Sequence, residues 1–166
     1  MDSRATDNFV IQQGYERAPG DSNGGLFKAL SFQPRVIAPL AVLGVILQSG
    51  PYFAVLSAIL WWCVAAPKWN PFNAIHNALF AARGAPRLEG SPAPRRFSMG
   101  MAASFMLGIS ISLMAGWTVA AVVLQAFLIV ALTALIFGKL CLGSYIYHLL
   151  TGQAALANCT LPWARG

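Results

Sequence analysis

The sequence predicts an all-α membrane protein with four transmembrane helices in two hairpins, an amphipathic interfacial helix and an extended N-terminal arm. Three observations predict it. Hydrophobic residues make up 57% of the 166 and charged residues 10%, against about half and roughly a quarter in soluble domains. Two long runs carry no charge, 32 residues from Val36 to Pro67 and 42 from Phe97 to Gly138. Each run is interrupted near its middle by a turn signal.

Residues 1–34 are rich in Gly, Ser, Asn and Asp, with Phe9, Val10, Tyr15, Leu26 and Phe27 scattered among them. That composition is too thin for a core of its own, so the segment reads as an extended cytoplasmic arm that another chain would order. It holds no apolar stretch of signal-peptide length, and the first membrane segment is expected to direct insertion.

Residues 35–152 form the expected membrane domain. The first run is too long for one span of about 20 residues and shorter than two. Gly50 and Pro51 in "QSGPY" place a turn there, giving short helices Val36–Gln48 and Tyr52–Ala66, a hairpin that either spans a thinned bilayer or dips in and returns. The second run is about twice the length needed to cross a hydrocarbon core of about 30 Å. A bend at "MAGW" divides it into Phe97–Met114 and Trp117–Gly138, the latter with a C-terminal continuation. Trp117 then sits at one interface, and Lys139 marks where the fourth helix reaches the headgroups on the other.

The connector, residues 67–96, carries Lys68, Arg83, Arg87, Arg95 and Arg96 against Glu89. Basic loops stay cytoplasmic, so the connector and both ends of the chain are expected in the cytoplasm, in a bacterial inner membrane. "NPFNAIHNALFAARG" has helical spacing, with Phe72, Ile75, Leu79 and Phe80 on one side and Asn70, Asn73 and Asn77 on the other. It reads as a helix lying on the headgroups. Arg83, Arg87, Arg95 and Arg96 are placed to contact anionic lipid. Residues 153–166 form a C-terminal tail, in which "NCT" at Asn158 matches a glycosylation acceptor by chance.

Chemical signals are sparse. No basic stripe suggests nucleic acid. The spans contain no Asp, Glu or His, which argues against metal catalysis and proton relays. Cys63, Cys141 and Cys159 show no zinc-type spacing and cannot all pair within one chain. His76 and His148 are candidate ligands for a haem or chlorin pigment. Gly108, Ser112 and Gly116 recur at four-residue spacing, the pattern that lets helix backbones approach in lipid, and Gln125 is placed to hydrogen-bond to a neighbouring helix.

"FQPRVIAPLAVLGV", "PKWNPFNAIHNAL", "PRRFSMGMAASFMLG" and "GKLCLGSYIY", spanning Arg35 to Tyr147, resemble a bacterial membrane family of uncharacterised function, domain-of-unknown-function family 4395. The resemblance implies a Cys-x-Gly-Cys-like element near the end of the last helix and a thioredoxin-like or sulfurtransferase partner. Cys141 and Gly143 match that element, while Ser144 stands where the second cysteine would be. Such a site can form a mixed disulfide or a persulfide but no internal disulfide.

The function expected from these features is that of a non-catalytic small membrane subunit or assembly factor of a larger complex, respiratory or photosynthetic in type. The rival expectation is a membrane thiol or sulfur-handling protein acting through Cys141 with a soluble redox partner.

Overall fold

The computed structural model describes residues 3–16, 23–161 and 163. The described residues form helices and turns without a strand. In order they are α1 (Ser3–Gln12), α2 (Asn23–Leu30), α3 (Phe32–Leu47), α4 (Gly50–Ala65), α5 (Pro71–Phe80), α6 (Ala93–Met114), α7 (Thr118–Ile136), α8 (Leu142–Leu150) and α9 (Ala154–Cys159). Short 3-10 turns at Pro67–Trp69 and Ala81–Arg83 flank α5.

Three helical stretches are long and apolar enough to cross a membrane: Gly24–Leu47, Ala93–Met114 and Thr118–Ile136. The first begins earlier than Val36, because α2 runs through Ser31 almost directly into α3. The apolar helix α4 has 16 residues, about 24 Å at the helical rise of about 1.5 Å per residue. That is shorter than the hydrocarbon core of about 30 Å.

The turn chemistry is local. Gln48 closes α3 in the left-handed conformation at φ 47°, and Ser49 caps α4, its side chain accepting from the Tyr52 amide with Pro51 in the first turn. At the other break, Gly116 has φ +74°. The Trp117 and Gly116 amides donate back to the Ser112 and Leu113 carbonyls at 2.8 and 3.3 Å, the Schellman pattern that satisfies the last carbonyls of a helix.

The main core lies among α3, α4, α6 and α7, with Ala41, Phe53, Ala103, Met106 and Ile109 fully buried. α4 packs most extensively on α6. Ser57 donates to the Ala103 carbonyl and Ser110 to the Gly50 carbonyl, both at 2.8 Å. On α6, Gly108 admits Leu124 of α7, whose Cδ1 would lie 3.2 Å from an added Cβ. Ser112 is buried, whereas Gly116 faces open space. Gly116 therefore leaves the expected packing stripe and serves the turn. Gln125 of α7 is buried and exchanges amide hydrogen bonds with Gln48 at 3.2 and 3.4 Å. Large apolar side chains such as Ile46, Val119, Phe127 and Val130 face outward, as lipid contact requires.

The N-terminal segment departs from the expectation of an extended arm. α1 and α2 pack on each other, and Phe9, Val10, Phe27 and Leu30 form a second core with Leu88 of the connector and Cys141. The segment cannot bury these side chains alone, and residues far along the same chain complete the core.

The connector helix α5 departs from expectation at Asn70 and Asn73, which are buried instead of facing water. Phe72, Asn73 and His76 point inward while Ile75 and Leu79 are exposed. The asparagines bind backbone. Asn70 accepts from the Phe72 and Asn73 amides at 2.9 and 3.3 Å, Asn73 donates to the Gly90 carbonyl, and Asn77 both donates to and accepts from Leu88. These bonds pin the Pro-rich link that delivers Leu88 to the second core. Asn70→Ala is expected to lower stability by about 1–2 kcal/mol, as loss of a helix cap does, measured by thermal unfolding in mild detergent.

Candidate functional site

The residues singled out at the start of α8 lie in a buried polar cluster where α1, α6 and α8 meet. α7 ends at Ile136, and the chain reverses through Lys139 at φ 52°. The fourth helix thus stops before Gly138, and α8 is a separate helix that opens at Cys141.

Lys139 is not a free headgroup anchor. Its ammonium donates to Thr6 Oγ1 at 3.0 Å and lies 5.3 Å from the centroid of the Phe27 ring. Two residues on, the Cys141 amide donates to Gln12 Oε1 at 2.9 Å. His148, about two turns further along α8, meets the Gln12 carbonyl through Nε2 at 3.1 Å and Gln153 Oε1 through Nδ1 at 2.8 Å. Because a carbonyl only accepts, Nε2 carries the proton. In the neutral ring Nδ1 then accepts, and the Gln153 amide turns its NH₂ toward it. Both ring nitrogens of His148 are engaged.

The thiol faces α6. Cys141 Sγ lies 3.3 Å from Ser98 Oγ, and Ser98 Oγ lies 2.8 Å from Ser144 Oγ. Ser98 also reaches the Pro94 carbonyl at 2.9 Å. A consistent proton arrangement has Ser98 donating to Pro94 and accepting from both the Ser144 hydroxyl and the Cys141 thiol. The close approach of α8 to α6 depends on Gly143, where an added Cβ would lie 2.7 Å from the Ser98 Cα.

Arg95 is buried, not directed to lipid phosphates. Its guanidinium donates to the Tyr15 hydroxyl at 3.2 Å and to Gln33 Oε1 at 3.3 Å. Gln33 donates in turn to Met99 Sδ at 3.2 Å. No hydrogen bond or ion pair joins Arg95 to a carboxylate among the described residues, so its charge is held by neutral dipoles in a medium that favours pairing. A cavity of about 80 Å³, room for a few waters, lies between Arg95, Ser98, Cys141, Gln13, Gln33 and Phe9.

The other candidates lie elsewhere. Arg96 is exposed and donates to the Val64 carbonyl at 3.1 Å. Arg83 and Arg87 are exposed on the connector, and Trp117 is exposed at the α6–α7 turn. His76 is buried against Phe32 and Phe80. Cys63 is buried in the main core, and Cys159 is exposed. Among the described residues no group of three His, Cys, Asp or Glu is arranged to hold a metal ion.

Sequence reasoning missed Ser98, Gln12 and Gln33. Their signal was present but weak. Gln12 and Gln33 are amides beside apolar residues on helical faces, and "GS" at Gly143–Ser144 is the small pair that a tight helix contact requires.

The helical architecture and its three long apolar helices are those of a small polytopic membrane protein. The chain belongs to the family described as Domain of unknown function (DUF4395), whose model matches residues 28–151. No curated protein and no solved structure matches it.

Proposed function

We propose that this chain is a non-catalytic small subunit or assembly factor of a larger membrane complex, of respiratory or photosynthetic type. It resides in the bacterial cytoplasmic membrane with four crossings and with both ends and the connector in the cytoplasm. One observation carries this reading. The buried polar side chains, from Gln12 and Arg95 to Ser98 and His148, hold elements of the chain to one another, while large apolar side chains on α3, α4, α6 and α7 face outward. Part of that outward surface contacts lipid and part contacts other membrane subunits.

A second reading is supported by the cavity that Cys141 shares with Arg95 and Ser98. In it, Cys141 handles sulfur, with a thioredoxin-like or sulfurtransferase protein as source or acceptor. Because Cys141 is only 5% exposed, a partner cysteine has no approach to its sulfur in this conformation. The thiol reading therefore requires a small sulfur species that enters the cavity.

Purification in mild detergent separates the two readings. The subunit reading expects other membrane polypeptides to co-purify, with Cys141→Ser leaving the assembly intact. A chain that purifies alone, and whose cellular role is lost in Cys141→Ser, would establish the thiol reading instead.

A further inference from the structure

A second cleft, of about 430 Å³, opens among α2, α3, α5 and the turn after α5. Its basic side chains come from four places in the chain. Lys28 lies in the last turn of α2, Arg35 in the first turn of α3, His76 within α5 and Arg83 in the 3-10 turn that follows. Phe32 and Phe80 form its apolar wall, packed 5.6 and 5.3 Å from His76 and 6.0 Å from each other, centroid to centroid. The link closes over it at Pro86, whose Cδ would lie 3.5 Å from a Cβ at Gly25.

The cleft contains cations without their complement. Among the described residues no acidic side chain lines it, and the side chains of Lys28, Arg35 and Arg83 make no hydrogen bond or ion pair. Like charges gathered in one cleft repel, and the arrangement is stabilised when an anion enters. His76 adds a polar group that is 4% exposed. Its Nδ1 lies 3.5 Å from Asn77 Oδ1, while no partner for Nε2 is found among the described residues.

The donors indicate the anion. A planar carboxylate is matched by a single guanidinium fork, whereas basic groups converging from separate helices suit an anion whose oxygens point in several directions. A phosphate has that shape. The apolar wall of Phe32 and Phe80 adjoins the outward side of α5, where Ile75 and Leu79 are exposed, so an acyl chain can run on from a headgroup held in the cleft.

We propose that Lys28, Arg35, His76 and Arg83 bind the phosphate of an anionic membrane lipid. The proposal rests on the membrane placement of the chain and not on its partner in a complex. Alkaline extraction of membranes tests that placement separately.

The test uses the full chain in neutral detergent at physiological ionic strength, titrated with phosphatidic acid, phosphatidylcholine or sodium phosphate and read by lipid-dependent thermal stabilisation. Phosphatidic acid is expected to bind more tightly than phosphatidylcholine. Arg35→Gln with Arg83→Gln is expected to weaken that binding about thirtyfold, the combined effect of two basic contacts near a membrane surface. Both side chains are exposed and make no hydrogen bond or ion pair among the described residues, so an unchanged circular dichroism spectrum and an unchanged lipid-free melting temperature should accompany the loss. Arg4→Gln with Lys68→Gln removes the same charge from residues that do not line the cleft and is expected to weaken binding far less, because exposed charges that make no direct contact are screened by salt. Equal weakening by both pairs would reduce the effect to general attraction and overturn the site. Sodium phosphate binding in place of the lipid would overturn the assignment to a lipid.

Discussion

Gly143→Ala is expected to lower stability by about 3 kcal/mol, the upper part of the range for overpacking a close contact. The new methyl would lie 2.7 Å from Ser98 Cα and 2.8 Å from its Cβ. A backbone atom cannot rotate aside, so α8 must lift from α6. That separation also breaks the hydrogen bonds of Ser98 to Ser144 and to Cys141. Ser144→Ala gives the comparison, since it removes one hydroxyl while Ser98 keeps its bond to the Pro94 carbonyl, an expected loss of about 1 kcal/mol. Thermal unfolding of the two variants in the same detergent checks the order. A Ser144→Ala variant less stable than Gly143→Ala would mean that hydrogen bonding, not helix approach, holds α8 in place.

Phe9→Ala is expected to expose Cys141. Phe9 is 2% exposed, packs edge-on against Phe27 at 5.2 Å and belongs to the same small core as Cys141. Truncating a buried phenylalanine costs about 3–5 kcal/mol. Here the loss falls on the docking of α1, so local opening should precede unfolding of the bundle. Three kcal/mol corresponds to about a hundredfold rise in the open population, read as the rate at which a maleimide labels Cys141. The other cysteines are internal controls. Cys159 is exposed and should label at once in either protein, while Cys63, fully buried among α4 and its neighbours, should stay slow. Equal acceleration at Cys63 would mean that the two cores open together.

Where the determinants are local, the fold was legible. Gly50 with Pro51 and Gly116 mark the two turns, and long uncharged runs mark the apolar helices, because backbone chemistry and hydropathy act at those positions without help from distant residues. The N-terminal helices were not legible for the opposite reason. α1 is 10 residues long, too short to be stable alone, and it packs with α2 in a core that Leu88 and Cys141 complete. The asparagines of α5 misled in the same way, since a polar stripe normally faces water, yet here backbone carbonyls of the link replace the water. Of the polar cluster, Cys141 and His148 were visible as residue types. Ser98 and Gln12 were not, because serine and glutamine are ordinary in any helix and acquire meaning only from the neighbour that reaches them.

The bonds from Thr6 to Lys139, from Gln12 to Cys141 and from Gln12 to His148 join residues 133, 129 and 136 positions apart. At synthesis rates of about 5–20 residues per second, the wait between the two sides of these bonds is roughly 6 to 27 seconds. During that interval α1 exists without its dock on α8, and the core of Phe9, Val10 and Phe27 still lacks Cys141. The bundle can be inserted while this closure is still open. Docking of α1 is therefore a natural last event in maturation, and an undocked α1 distinguishes an unfinished copy of the protein from a finished one.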